Sequence, residues 1–117
     1  MDTEIPVDFS LEVGREGRGW VVAPTGELDL ATVDEVREAM AARPSACEVL
    51  VIDLSRLTFL DTSGMRLVVE ALQDTQISGV RLALVRGTED VQRLFAVARL
   101  EDRLPFFDDL RAALDVR

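Results

Sequence analysis

The sequence predicts an α/β domain, a mixed β-sheet of about four or five strands with about four helices packed on it. Three observations predict it. Residues 7–13 alternate between apolar and polar side chains, the pattern of a half-buried strand with one solvated face. Residues 49–52 are a short continuous apolar run, the pattern of a strand buried on both faces and usually parallel to its neighbours, and residues 80–85, apolar but for Arg81, read as another strand. Segments with apolar residues at helical spacing alternate with these strands. The 117 residues, 48% of them apolar, suit one domain with one continuous core.

In chain order, Val7, Phe9, Leu11 and Val13 share one face of the first strand, and Asp8, Ser10 and Glu12 the other. Gly14-Arg15-Glu16-Gly17 is turn chemistry, and a second strand starts over residues 20–23, so the two form an antiparallel hairpin. Pro24 implies that the end of this strand is unpaired on its N–H side. Gly26-Glu27-Leu28-Asp29 is expected to be a loop. Thr32 and Glu35 have capping-box spacing, and Asp34 is also favourable in a first turn. Val33, Val36 and Met40 form the inner face of that helix, which stops before Pro44.

After the buried strand at residues 49–52, residues 57–60 lead into Asp61-Thr62-Ser63-Gly64, where a second helix begins. Its predicted buried stripe is Met65, Val68, Val69 and Leu72, with Arg66, Glu70, Gln73 and Asp74 toward water. Gly79 precedes the strand at 80–85. Gly87-Thr88-Glu89-Asp90 then turns into a third helix with Val91, Leu94, Phe95 and Ala98 inward. Residues 105–107 predict a brief last strand, and Asp108 or Asp109 caps a terminal helix carrying Leu110, Ala113 and Leu114. Trp20 and Phe59 are expected in the core. Phe106 and Phe107 point to opposite faces of their strand, which leaves open whether one of them is exposed. Cys47 fits a small core residue better than a reactive thiol, since no basic group flanks it closely.

Composition narrows the function by exclusion. All 13 basic residues are Arg, set against 22 acidic ones, and the net charge of −9 is spread along the chain. Such a surface disfavours phosphate backbones and anionic membranes, so the expected partner is a protein with a basic patch, with no direct nucleic acid and no membrane. The absence of His rules out a Ser–His–Asp or Cys–His nucleophile pair and a His-ligated metal. A single cysteine forms neither an intrachain disulfide nor a zinc cluster, and the absence of Lys excludes a Walker-A lysine and a Schiff base. Glu27 and Asp29, with no His and no metal-ligand set nearby, are expected to be surface groups rather than an acid–base pair. No apolar run approaches the roughly 18 residues that span a bilayer, and the acidic first residues are unlike a signal peptide. The expectation is a cytoplasmic, single-domain protein without enzymatic activity, cofactor or metal.

Asp61-Thr62-Ser63-Gly64 places a carboxylate and two hydroxyls where a strand gives way to a helix. One of these side chains must serve the free N–H groups of the first turn, and a cap followed by a glycine accounts for the composition of the segment. The same residues also allow a second reading, in which one hydroxyl is a phosphoacceptor. If Asp61 or Ser63 caps, Thr62 is free to point outward.

The motifs Gly26-Glu27-Leu28-Asp29-Leu30-Ala31-Thr32 and Val51-Ile52-Asp53-Leu54-Ser55…Phe59-Leu60-Asp61-Thr62-Ser63-Gly64-Met65 together resemble the STAS family, in particular the bacterial anti-sigma-factor antagonists, over residues 7–115. The resemblance implies a single STAS-like domain and a partner-switching regulator of transcription of the kind used in stress response and sporulation. In that family the unphosphorylated antagonist binds an anti-sigma factor that is also a serine/threonine kinase, and the sigma factor is released. The kinase phosphorylates the hydroxyl that follows the motif aspartate, and a phosphatase resets it. By position the acceptor is Thr62, with Ser63 as the fallback. Asp61 orients the site, Glu27 and Asp29 join the kinase-binding surface, and ATP belongs to the partner. Ser63, Gly64, Met65, Arg66, Val69, Glu70 and Gln73 complete the expected binding face.

Two positions depart from the family pattern. Ser is more frequent where this chain has Thr62, and Arg66 replaces a small residue, often Gly, which enlarges the docking face. Two other roles fit the same fold: an unphosphorylated scaffold or sensor module in a larger signalling complex, and a domain that binds a small ligand or nucleotide.

Overall fold

The structure, a computed structural model, describes residues 9–115, so Val7 and Asp8 of the predicted first strand lie outside the described residues. Strands β1 (Phe9–Glu16) and β2 (Gly19–Leu28) form an antiparallel hairpin, and helix α1 (Val33–Ala41) follows. Next come β3 (Val49–Asp53), β4 (Leu57–Leu60), α2 (Thr62–Ser78) and β5 (Arg81–Val85). The chain continues through α3 (Glu89–Val97), β6 (Phe106–Phe107) and α4 (Leu110–Leu114). The sheet is mixed, in the order β1-β2-β3-β5-β6, with only the β1–β2 pairing antiparallel, and β4 pairs with β2 off this path. The described residues thus hold six strands, one more than the upper expectation, and the additional strand is β4.

Strand β3 is buried along its whole length between β2 and β5, as its continuous apolar run predicts. Its alternate residues serve two layers. Leu50 and Ile52 join Val22 and Leu84 beneath Val36 of α1, Leu67, Val68 and Ala71 of α2, and Val91 and Phe95 of α3. Val49 and Val51 join Val21, Ala83 and Val85 under Ala113 of α4 on the opposite face. Each fully buried branched or aromatic side chain contributes about 1.5–3 kcal/mol, so the three-helix layer carries most of the stabilisation.

Strand β2 departs most from expectation. The turn predicted at residues 14–17 contracts to Gly17-Arg18, with Gly17 at φ 57°, and β1 runs on to Glu16. Residues 26–28, expected to be loop, belong to β2. Residues 19–22 pair in parallel with β3 and residues 26–28 with β4, while residues 23–25 have no parallel partner. Pro24, with no N–H to donate, sits in this gap. Gly26 takes φ 101°, a left-handed value open to glycine, and the register shifts between Gly26 and Glu27. That kink lets a single strand change partners.

The helical faces are rotated slightly from their predicted positions. On α2 the buried residues are Gly64, Leu67, Val68, Ala71 and Thr75, so Met65, Val69 and Leu72 flank the stripe, half-buried. On α3 Val91, Gln92 and Phe95 are buried, whereas Leu94 and Ala98 are exposed. Val13, expected on the inner face of β1, is also exposed. Cys47 is buried, as expected. Phe106 and Phe107 do face opposite layers, and both are half-buried, so neither is exposed; Phe106 meets Phe95 edge-on with centroids 5.2 Å apart. Asp109, not Asp108, caps α4, accepting from the Ala112 N–H at 2.8 Å. Trp20 is half-buried against the core, and its indole N–H donates to the Ala39 carbonyl at 2.8 Å, tying β2 to the last turn of α1. Replacing Trp20 by Phe removes this donor and part of the packing, with an expected loss of about 1–2 kcal/mol in urea unfolding followed by circular dichroism. An unchanged unfolding midpoint would contradict that role for the tie.

Candidate functional site

Parallel pairing of β4 with the last residues of β2 joins the two sequence motifs. Glu27 lies opposite Phe59 and Leu28 opposite Leu60, and the Asp61 N–H donates to the Leu28 carbonyl at 3.2 Å. The carboxylates of the first motif and the hydroxyls of the second therefore sit at one end of the sheet, where α2 begins.

Asp61 has extended backbone and acts as the N-cap of α2, its Oδ1 accepting from the Gly64 N–H at 3.1 Å. This choice frees Thr62. Its side chain is exposed and, among the described residues, takes part in no side-chain hydrogen bond. Ser63 is half-buried. Gly64 points inward, and its importance is packing: a Cβ there would stand 2.5 Å from Leu60 Cδ1 and 2.9 Å from the Leu28 carbonyl oxygen. Its φ is not left-handed, so backbone strain is not what requires glycine here.

The other predicted residues divide by exposure. Arg66 and Gln73 are exposed, Met65, Val69 and Glu70 half-buried. Arg66 lies one helical turn beyond Thr62 on the same side, and it makes no ion pair among the described residues. Glu70 is held by Arg37 of α1 at 2.9 Å, a bond that heads the causes raising the Arg37 pKa above its ordinary value. Glu27 is exposed on β2, and Asp29 is half-buried in the connection to α1.

Around Asp29 the predicted capping box does not form. Thr32 occupies the N-cap position of α1, yet its side chain makes no cap bond, forgoing the roughly 0.5–2 kcal/mol such caps supply. Its hydroxyl turns back, accepting from the Asp29 N–H at 2.9 Å and lying 2.9 Å from the Glu27 carbonyl, to which it donates. Sequence reasoning also missed two apolar members of this end of the molecule. Phe59, expected in the core, is 47% exposed beside Glu27, and Leu30 is 76% exposed after Asp29. The sequence carried no signal for Phe59: the register shift against β2 passes over Thr58, so Phe59 does not share the inward face of Leu57 as plain alternation would place it.

Two of the cavities among the described residues lie away from Thr62. One of about 280 Å³ separates α1 from α2 over Met40, Leu50, Leu67 and Ala71, but its two guanidinium groups, Arg37 and Arg43, are already paired with Glu70 and Asp74. The other, about 230 Å³, lies on the α4 side of the sheet beside Asp53 and Arg56. Thr62 lines neither cavity. No group of His, Cys, Asp and Glu among the described residues is arranged to hold a metal, and no helix among them is long and apolar enough to cross a membrane.

The mixed sheet, the helices packed on it and the strand-to-helix junction bearing Asp-Thr-Ser-Gly place the chain in a known class of domain. The family model for the STAS domain matches residues 11–113, and the chain belongs to the STAS family. Among curated proteins it is 31% identical to the anti-sigma F factor antagonist of Paenibacillus polymyxa over 91 residues, covering 76% of this chain and 78% of that protein. It is 24% identical to the anti-sigma-B factor antagonist of Staphylococcus aureus, covering 82% of this chain and 90% of the other.

Solved structures with the same fold include an anti-sigma factor antagonist from Mycobacterium paratuberculosis (TM-score 0.76, 23% identity, 96% of each chain). SpoIIAA in its unphosphorylated form also shares it (TM-score 0.73, 22% identity, 91% of this chain and 94% of the other). So does the Bacillus cell fate determinant SpoIIAA in its phosphorylated form (TM-score 0.71, 22% identity, 92% of this chain and all of the other).

The junction yields a prediction that separates packing from capping. Gly64→Ala forces a methyl against a carbonyl that cannot yield and is expected to destabilise by about 1–3 kcal/mol. Asp61→Ala removes the cap and is expected to cost about 0.5–2 kcal/mol. Chemical denaturation measures both, and a neutral Gly64→Ala would contradict the packing account.

Proposed function

We propose that this chain is an anti-sigma-factor antagonist of the cytoplasm. Unphosphorylated, it binds an anti-sigma factor that is also a serine/threonine kinase and so releases the sigma factor. Phosphorylation on Thr62 switches it off, and a separate phosphatase restores it. The observation that carries this reading is the free, exposed Thr62 hydroxyl next to a helix cap that Asp61 supplies in its place. The names of the curated relatives support the general role.

In the transfer step the kinase partner supplies ATP. Thr62 Oγ1 forms a bond to the γ-phosphorus, the bond to the bridging oxygen breaks, ADP leaves and the hydroxyl proton is lost. The product carries about −1.5 to −2 charges at neutral pH. At an exposed helix N-terminus the macrodipole favours such a charge by about 0.3–1 kcal/mol, so the domain stays folded. A docked partner, in contrast, must bury the dianion or repel it, which costs several kcal/mol without a counter-ion. At about 1.4 kcal/mol per tenfold in affinity, that suffices to end binding. SpoIIAA is known in phosphorylated and unphosphorylated forms, and this fold aligns with both.

The docking face proposed here combines Glu27, Asp29 and Asp61 with Arg66, Gln73, the half-buried Ser63, Met65, Val69 and Glu70, and the apolar pair Leu30 and Phe59. Acidic groups around exposed apolar anchors fit a partner surface with a basic rim and an apolar centre. Gly64 supports this face from beneath rather than forming part of it.

Thr62→Glu is expected to weaken binding to the anti-sigma factor at least about tenfold with nearly unchanged thermal unfolding, whereas Thr62→Ala keeps binding and takes no phosphate. Phe59→Ala is expected to weaken binding by about tenfold or more at little cost in stability, since its ring is half in solvent. Calorimetric titration checks all three variants, and equal binding by Thr62→Glu and the wild type would contradict the switch.

A further inference from the structure

Thr32 ends the first motif, and nothing in the switch described above uses it. Asp61, Thr88 and Asp109 each cap the helix that follows with their own side chain. Thr32, in the equivalent position, does not. Its single hydroxyl instead closes the connection between β2 and α1. It accepts from the Asp29 N–H at 2.9 Å, and its own hydrogen is directed to the Glu27 carbonyl at 2.9 Å, with the Asp29 carbonyl and Oδ1 each farther away at 3.3 Å. Asp29 Oδ1 in turn accepts from the Ala31 N–H at 3.0 Å, and the Asp29 carbonyl accepts from the N–H groups of Thr32 and Val33 at 3.0 and 2.9 Å. Backbone and carboxylate of Asp29 are thus held from several directions, and the Thr32 hydroxyl is the part of this arrangement that reaches back to Glu27.

A local cap sacrificed at one helix in four, in favour of bonds to two residues of the docking face, is the kind of departure from local preference found at functional sites. We infer that Thr32 is a positioning residue for partner binding. Its hydroxyl fixes the backbone at Glu27 and Asp29, and with it the direction in which their carboxylates leave the chain to meet the basic rim of the partner, so that less ordering remains to be done on docking. This inference rests on the function proposed above for the identity of the partner and goes beyond it in assigning how the acidic half of the face is prepared.

The test compares Thr32→Val, which keeps the branched shape and removes both bonds, with Thr32→Ser, which keeps the hydroxyl. Two readouts are used. One is amide hydrogen exchange at Asp29 in the free protein. The other is affinity for the anti-sigma factor from the same genome that the wild-type chain captures. Thr32→Val is expected to speed exchange at Asp29 without affecting the amides of β3, and to weaken capture about tenfold, the scale of one hydrogen bond to a group that must otherwise be ordered. Thr32→Ser is expected to restore both.

Because Thr32 acts through Glu27 and Asp29, Thr32→Val is expected to cost little further affinity in a background carrying both Glu27→Ala and Asp29→Ala, whereas a generally destabilising change would add its full effect. Wild-type affinity in Thr32→Val, failure of Ser to rescue, or full additivity in the background that lacks both carboxylates would each overturn the inference. Thr32→Ala serves in place of Val should the latter fail to fold. Failure of the wild-type chain to bind any anti-sigma factor would instead contradict the function proposed above, and it would take with it the binding role of Thr32. The exchange data would still report whether the hydroxyl pins the connection.

Discussion

The short parallel ladder between the end of β2 and β4 is the contact on which the functional end of this protein depends. It pairs Glu27 with Phe59 and Leu28 with Leu60, and it continues into the bond from the Asp61 N–H to the Leu28 carbonyl. Two segments far apart in sequence thereby become one surface. The ladder exists because β2 changes partner midway. Pro24 withholds a donor where β3 is left behind, and Gly26 takes the left-handed φ of 101° that turns the strand toward β4.

What the ladder positions, Gly64 and Asp61 refine. The missing side chain at Gly64 lets α2 settle onto Leu28 and Leu60, so the first turn of the helix cannot drift relative to the β2 end. Asp61 then accepts from the Gly64 N–H of that turn, which has no partner within the helix. The consequence is chemical: the first two hydroxyls of the helix are released from structural duty, and of these Thr62 is the exposed one while Ser63 is half-buried. A charge added at an exposed position outside the core changes the surface without changing the fold, which is the physical requirement for a reversible binding switch in so small a domain.

Much of this architecture was legible in the sequence where a single physical signal dominated. Strand β3 stands out because a continuous apolar run is hard to place except between two layers, β5 is apolar after Arg81, and the alternating β1 was clear for the same kind of reason. The signal failed where tertiary contact overrode local chemistry. Residues 26–28 look like a loop because they contain a glycine and follow a proline, yet the partner change makes them strand. Strand β4 has four residues, too few to establish a period, so Phe59 passed for core although its neighbours Leu57 and Leu60 are the buried ones. Thr32 and Glu35 have the spacing of a capping box, but the hydroxyl found better partners in Asp29 and Glu27. The buried stripe of α2 was displaced toward Leu67 and Ala71 because the close approach at Gly64 sets the rotation of the helix.

The central claim is that Thr62 is the acceptor of a phosphate delivered by an anti-sigma kinase. Intact-mass spectrometry of the purified chain, incubated with ATP and each anti-sigma kinase of the same genome and followed by site mapping, tests it most directly. The account predicts a single added phosphate, on Thr62, from a kinase that also binds the unmodified chain. A stable complex with such a kinase in which no phosphate is transferred, or a phosphate confined to Ser63, would contradict it.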